Sequence, residues 1–168
     1  KRQDVSNVRP SASSQIYDVH GNLITTVHST ENRLPVPLKD VPKDLQNAFV
    51  ATEDSRFYTH HGIDPIGILR AVWVNIVHSG VSEGGSTITQ QLARNAFLSQ
   101  DRTLKRKISE ALLALKIEQH YTKDEILEMY MNQIYFGQGA YGVQSASHVY
   151  FGKDASELTL AQAALIAG

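Results

Sequence analysis

The chain has 168 residues, 42% of them hydrophobic and 20% charged, with a formal net charge of −1 and no cysteine. Such a chain buries one real core, and its near-neutral charge gives no ground for bulk nucleic-acid binding. The missing cysteines exclude a disulfide framework, a thiolate metal site and a cysteine nucleophile. No apolar run reaches the roughly 18–20 residues of a membrane span. There is no signal peptide and the first residue is Lys1, so the sequence reads as a fragment whose anchor or export signal has been removed.

Residues 1–14 are polar, with Pro10 and four serines, and predict a flexible lead-in. Residues 15–27 alternate loosely around His20, Gly21 and Asn22, which predicts a short N-terminal β-hairpin. Three prolines between 34 and 42 make a connector. Pro42 suits the first turn of a helix that runs to about Glu53, with Leu45, Phe49 and Thr52 on one face. Asp64 and Pro65 open the next helix as N-cap and first residue, and Gly80 closes it. Ile66, Ile68, Leu69, Val72, Trp73, Val74, Ile76 and Val77 leave that helix little polar face. A helix apolar nearly all round is either buried or touches lipid, and composition alone leans toward core.

Gly84 and Gly85 break the chain, and Ser86 or Thr87 caps a helix to Asn95. On it Thr87, Gln91, Arg94 and Asn95 share a face of hydroxyl, amide and guanidinium groups, suited to sugars or phosphates, while Ile88 and Leu92 point away. The longest helix spans 103–121, with Leu104, Ile108, Leu112 and Leu115 as its apolar stripe. On another face, Thr103, Arg106, Lys107, Glu110 and Ala114 recur at helical spacing. That set is either an ordinary Arg106–Glu110 surface pair or a carboxylate held ionised by two cations, fit for chemistry at a phosphate. Capping boxes at Thr122 and Thr159 open two further helices, and Gly137, Gly139 and Gly142 punctuate the turn between 134 and 143.

The densest ionisable run is 53–62, at the end of the first helix. Glu53 and Asp54 are followed by Arg56, Phe57, Tyr58, His60, His61 and Gly62. Several reactive groups converge there without making the whole helix polar. The plain alternative is a solvated helix end. A metal reading of the two histidines lacks further ligands at suitable spacing.

Taken together these pieces resemble the peptidoglycan glycosyltransferase domain of glycosyltransferase family 51, found in class A penicillin-binding proteins and monofunctional transglycosylases. Glu53, Asp54, Phe57, His60 and Gly62 match its E-D-x-x-F-x-x-H-x-G motif, and Gly84 to Leu92 match G-G-S-T-x-T-Q-Q-L. Arg106, Lys107 and Glu110 match R-K-x-x-E; the stretches 126–132 with 150–153, and 157–168, resemble the fourth and fifth motifs. The likeness covers about residues 15–168, with Arg94 standing where the family often has Lys. It implies a mainly α fold with a lysozyme-like head and a smaller membrane-associated jaw, to which the apolar helix at 65–79 is assigned.

The resemblance also implies the chemistry. Lipid II and a lipid-linked glycan chain are the substrates, joined with inversion at the donor anomeric carbon and release of undecaprenyl pyrophosphate. Glu53 is the base and Glu110 acts on the leaving-group side, alone or with a divalent cation, Mg or Mn. Arg94, Arg102, Arg106 and Lys107 clamp the pyrophosphate; Ser86, Thr87, Gln91 and Asn95 hold sugars or phosphates; Asp54, Phe57 and His60 are counted with the substrate site, against the plainer readings of Asp54 orienting backbone, His60 as a structural hydrogen-bonder and Phe57 as packing. Implied partners are the bacterial membrane surface, cell-wall synthesis proteins and moenomycin-type inhibitors at the donor site, with no nucleic acid. The implied location is the extracytoplasmic face of the cell membrane, through an N-terminal anchor. A peptidoglycan-cleaving enzyme and a non-catalytic lipid- or glycan-binding module are the alternatives; the former needs no basic pyrophosphate site.

Overall fold

The computed structural model describes residues 14–17, 23–27, 32–78, 84–97 and 103–168. Its order is β1 (Ser14–Tyr17), β2 (Leu23–Val27), β3 (Asn32–Arg33), α1 (Lys43–Glu53), α2 (Pro65–Val77), α3 (Ile88–Phe97), α4 (Leu104–His120), α5 (Lys123–Met131), β4 (Ala140–Tyr141), α6 (Val143–Phe151) and α7 (Leu160–Ala167). The fold is mainly helical. β1 and β2 pair antiparallel and β3 and β4 pair parallel. Residues 1–13 of the expected lead-in and the residues between β1 and β2 lie outside the described residues, as does Gly80; Ser14, expected in the lead-in, opens β1, and α2 ends at Val77 with His78 as its C-cap.

The helix starts follow from local chemistry. Asp64 accepts the backbone N–H of Ile66 and Pro65 takes the first helical position of α2, where a missing N–H costs nothing. Thr87 and Gln90 exchange side-chain and backbone bonds across the first turn of α3, at 3.1 and 3.0 Å, and Thr103 caps α4. Thr122 with Glu125 and Thr159 with Gln162 form the two expected capping boxes, each satisfying two helix-end donors.

The helices pack with α3 at the centre, against α4 on one side and α5 on the other, while α1 packs on α7. Leu45 and Phe49 of α1, Ile88 and Leu92 of α3, Ile117 of α4 and Ile126 and Leu127 of α5 meet in one core. Thr52, expected on the inner face of α1, is exposed, while Gln46 is buried near the start of the helix, where its amide donates to the carbonyls of Leu38 and Val41 at 2.9 and 2.8 Å. The proline-rich connector is strapped to α5 in the same way. Glu128 accepts from the Leu38 N–H at 2.8 Å, and Asn132 both accepts from and donates to the backbone of Val36 at 2.9 Å. Glu128 and Asn132 of the fourth motif thus complete backbone pairing for the connector, whose own regular structure is the short 3-10 turn Leu38–Asp40.

Two helices expose what the sequence pattern would bury. On α2 only Gly67 and Ala71 are buried, and Trp73 is 69% exposed, so the core reading of this helix does not hold. A Cβ added at Gly85 would meet the Ile68 Cα at 3.3 Å and the Ala71 Cβ at 3.5 Å, so α2 is seated against Gly85 at these two residues. On α4 the apolar stripe points outward, with Leu104 85% exposed and Ile108 and Leu112 also exposed. The buried face is Glu110, Leu113, Ala114 and Ile117. This helix carries apolar residues on two faces, and periodicity does not say which of them packs.

Candidate active site

Glu53 is the last residue of α1, where the helix gives way to the turn at 54–62. It opens on a cleft of about 630 Å³ lined by Thr52, Glu53 and Ser55 from the first wall, Arg70 from α2, Gly84 and Ser86 from the loop before α3, and Gln91 and Arg94 from α3. The amide of Gln91 donates to Glu53 Oε2 at 2.8 Å. One carboxylate oxygen is thereby oriented by α3, in a cleft that carries two guanidinium groups.

Behind this cleft the turn is locked by buried polar groups. Asp54 is 8% exposed; it accepts the Ile88 N–H of α3 at 3.0 Å and contacts His60 Nε2 at 2.8 Å. His60 Nδ1 accepts the Gly62 N–H at 3.2 Å, which leaves Nε2 as the donor to Asp54 in the neutral ring. Gly62 has φ +88°, and a Cβ there would meet the Ala114 backbone of α4 at 3.0 Å, so glycine serves both the left-handed conformation and the close approach. Its carbonyl accepts the Thr87 hydroxyl at 2.7 Å. Phe57 is fully buried, edge-on to Tyr58 and His60 and beneath the Lys123 ammonium at 4.6 Å. Asp54, Phe57, His60 and Thr87 therefore support the cleft from below. Their polar atoms and rings are engaged within the protein.

The third motif lies on the buried face of α4. Glu110 is 0% exposed; Lys107 Nζ donates to Oε2 at 3.0 Å and Arg106 Nε stands 3.2 Å from Oε1. The Arg106 contact is an ion pair outside good hydrogen-bond alignment. The two cations offset part of the hydration that burial takes from this carboxyl group. The Lys107 ammonium also donates to the Ser86 hydroxyl, so the Glu110 cluster and the cleft share a wall. Asn95 is exposed and does not line the cleft, and Arg102 lies outside the described residues.

These residues do not fit a metal held by the protein. Among the described residues no group of three His, Cys, Asp or Glu side chains could hold an ion, and both oxygens of Glu110 face cations. The metal role expected of Glu110 is not carried forward.

The sequence reading missed two residues. Arg70 is the one ionisable residue of α2, and a lone charge on an otherwise apolar helix was a usable signal. Tyr130 is 3% exposed in α5, with its hydroxyl 3.5 Å from Gln91 Oε1. Nothing in its apolar spacing separated it from the core residues beside it.

A fold and site of this kind define a transglycosylase-type enzyme domain, and the comparisons agree. The family model described as "Transglycosylase" matches residues 20–168. The chain is 54% identical over 98% of its length to penicillin-binding protein 1A of Escherichia coli (strain K12), of which it covers 19%. It is 51% identical over 93% of its length to penicillin-binding protein 1F of Bacillus subtilis (strain 168), covering 22% of that protein. Penicillin-binding protein 1A of Aquifex aeolicus (strain VF5) is 52% identical over 94% of the chain, again with 22% covered. The chain belongs to the transglycosylase family, glycosyltransferase family 51, and is a peptidoglycan glycosyltransferase domain. It spans about a fifth of the length of these relatives.

Proposed function

We propose that this domain polymerises lipid II into β-1,4-linked glycan strands for bacterial cell-wall synthesis. The lipid-linked glycan chain is the donor and a fresh lipid II is the acceptor. The acceptor 4-hydroxyl attacks the donor anomeric carbon, inverting it, and undecaprenyl pyrophosphate leaves. The observation that carries this reading is the cleft in which Glu53 faces Arg70 and Arg94 and meets the Lys107–Glu110 cluster through Ser86. A hydrolase needs the carboxylate; it does not need the cations.

In this mechanism Glu53 takes the proton of the attacking hydroxyl as the bond forms, with Oε2 oriented by Gln91. Arg94, Arg106 and Lys107 stabilise the negative charge that gathers on the departing pyrophosphate. Glu110 holds Arg106 and Lys107 in place for that task. Moenomycin-type inhibitors occupy the same donor site. The exposed apolar helix α2 is the membrane-associated jaw beside a lysozyme-like head, and β1 with β2 form the N-terminal hairpin. Among the described residues no helix is long and apolar enough to cross a membrane. The domain works at the extracytoplasmic face of the cell membrane, membrane-anchored and alongside other cell-wall synthesis proteins.

The test is incubation with labelled lipid II in detergent and separation of the products on a gel. A ladder of lengthening glycans is expected, and Glu53→Gln should reduce it by about 10²–10⁴-fold, the usual contribution of a positioned base. Retained turnover in that variant removes Glu53 as the base. Shortening of preformed glycan in place of polymerisation makes the domain a hydrolase.

A further inference from the structure

We infer that Tyr130 is a positioning residue for Glu53, acting through Gln91. The inference rests on the proposed role of Glu53 as base. A carboxylate only accepts hydrogen bonds, so Gln91 must turn its amide NH₂ toward Glu53, where Nε2 stands 2.8 Å from Oε2. That choice points the amide oxygen the other way, toward the Tyr130 hydroxyl at 3.5 Å. The hydroxyl donates to that oxygen and selects, of the two amide orientations, the one that serves Glu53. The contact is long for an O–H···O bond, and bonds in empty catalytic sites are commonly long and tighten around substrate.

The surroundings of Tyr130 suit this task. It is buried on α5, and its ring meets Phe49 edge-on at 6.3 Å, four residues before Glu53 on α1. One side chain thus touches the helix that carries the base and the helix that carries the amide. Burial first, then the negative charges of Glu53 and Asp54, push the phenol well above the ordinary tyrosine range; Arg94 acts in the opposite sense. The hydroxyl therefore holds its proton more firmly than an ordinary phenol.

The experiment is a double-mutant cycle in the full-length protein, with steady-state polymerisation of labelled lipid II as the readout. Tyr130→Phe keeps the ring against Phe49 and removes only the hydroxyl. We expect kcat to fall about 5–10-fold, the scale of one lost hydrogen bond, with KM within twofold of the parent. In a Gln91→Ala background the same substitution should change kcat by less than twofold, because the group through which it acts is gone. Equal effects in both backgrounds, a kcat within twofold of the parent for Tyr130→Phe alone, or a change confined to KM would each overturn the inference. Inactive Glu53→Gln with unaffected Tyr130→Phe sinks this inference alone; active Glu53→Gln sinks the base assignment on which it stands.

Discussion

Helices α2 and α4 invert each other. α2 carries one charge among apolar residues and holds most of them outside, while α4 carries Glu110 on its inner face and leaves Leu104, Ile108 and Leu112 outside. A soluble helix normally does the reverse on both counts. The difference teaches that burial here is decided by the site. Glu110 is worth its desolvation because Arg106 and Lys107 surround it, and α2 needs only Gly67 and Ala71 inward to bring Arg70 to the cleft.

Removing the buried charge gives the largest effect on this contrast. Glu110→Gln should destabilise the domain by about 2–3 kcal/mol, because it removes the buried carboxylate with which both Arg106 and Lys107 pair. Arg106, with 16% of its side chain exposed, carries most of that loss; Lys107, at 45%, is screened by solvent. Urea unfolding checks this, and a midpoint equal to the parent's would mean that the pair contributes nothing to the fold. Turnover should fall as well, since Arg106 and Lys107 lose the anchor that aims them.

Arg70→Ala probes the other helix at its one charge. It should raise KM for lipid II about 10-fold, on the scale of a lost charge-assisted hydrogen bond, and leave the thermal midpoint within about 2 °C. An unchanged KM would place Arg70 on the rim, outside substrate contact. The smallest effect on stability belongs to the apolar face. Leu69→Ser with Trp73→Ser should shift stability by no more than about 0.5 kcal/mol, as for other exposed positions, while reducing sedimentation with anionic liposomes. A cooperative loss of folding in this double variant would show that α2 is covered in solution and would restore the core reading.

Much of the fold was legible in the sequence because it rests on local chemistry. The Asp64–Pro65 start of α2, the boxes at Thr122 and Thr159, and the start of α4 at Thr103 each follow from side chains that satisfy backbone groups within one turn. The motif residues Glu53, Gln91, Arg94, Arg106, Lys107 and Glu110 were legible as chemistry, and Glu53, Ser86, Gln91 and Arg94 meet in one cleft.

The rest depended on tertiary packing. The family resemblance placed Asp54, Phe57, His60 and Thr87 with the substrate contacts, and a bond such as Thr87 to Gly62 links positions 25 residues apart and has no local signature. The apolar stripe of α4 was visible and its direction was not, since a period of 3.6 describes two apolar faces equally well. Tyr130 looked like any core residue until α5 came to lie against α3. The sequence by itself determined which groups this protein has for its chemistry and where its helices begin. Only the tertiary structure decided which of those groups face the cleft and which hold it open, because that choice is made by contacts between segments distant in the chain.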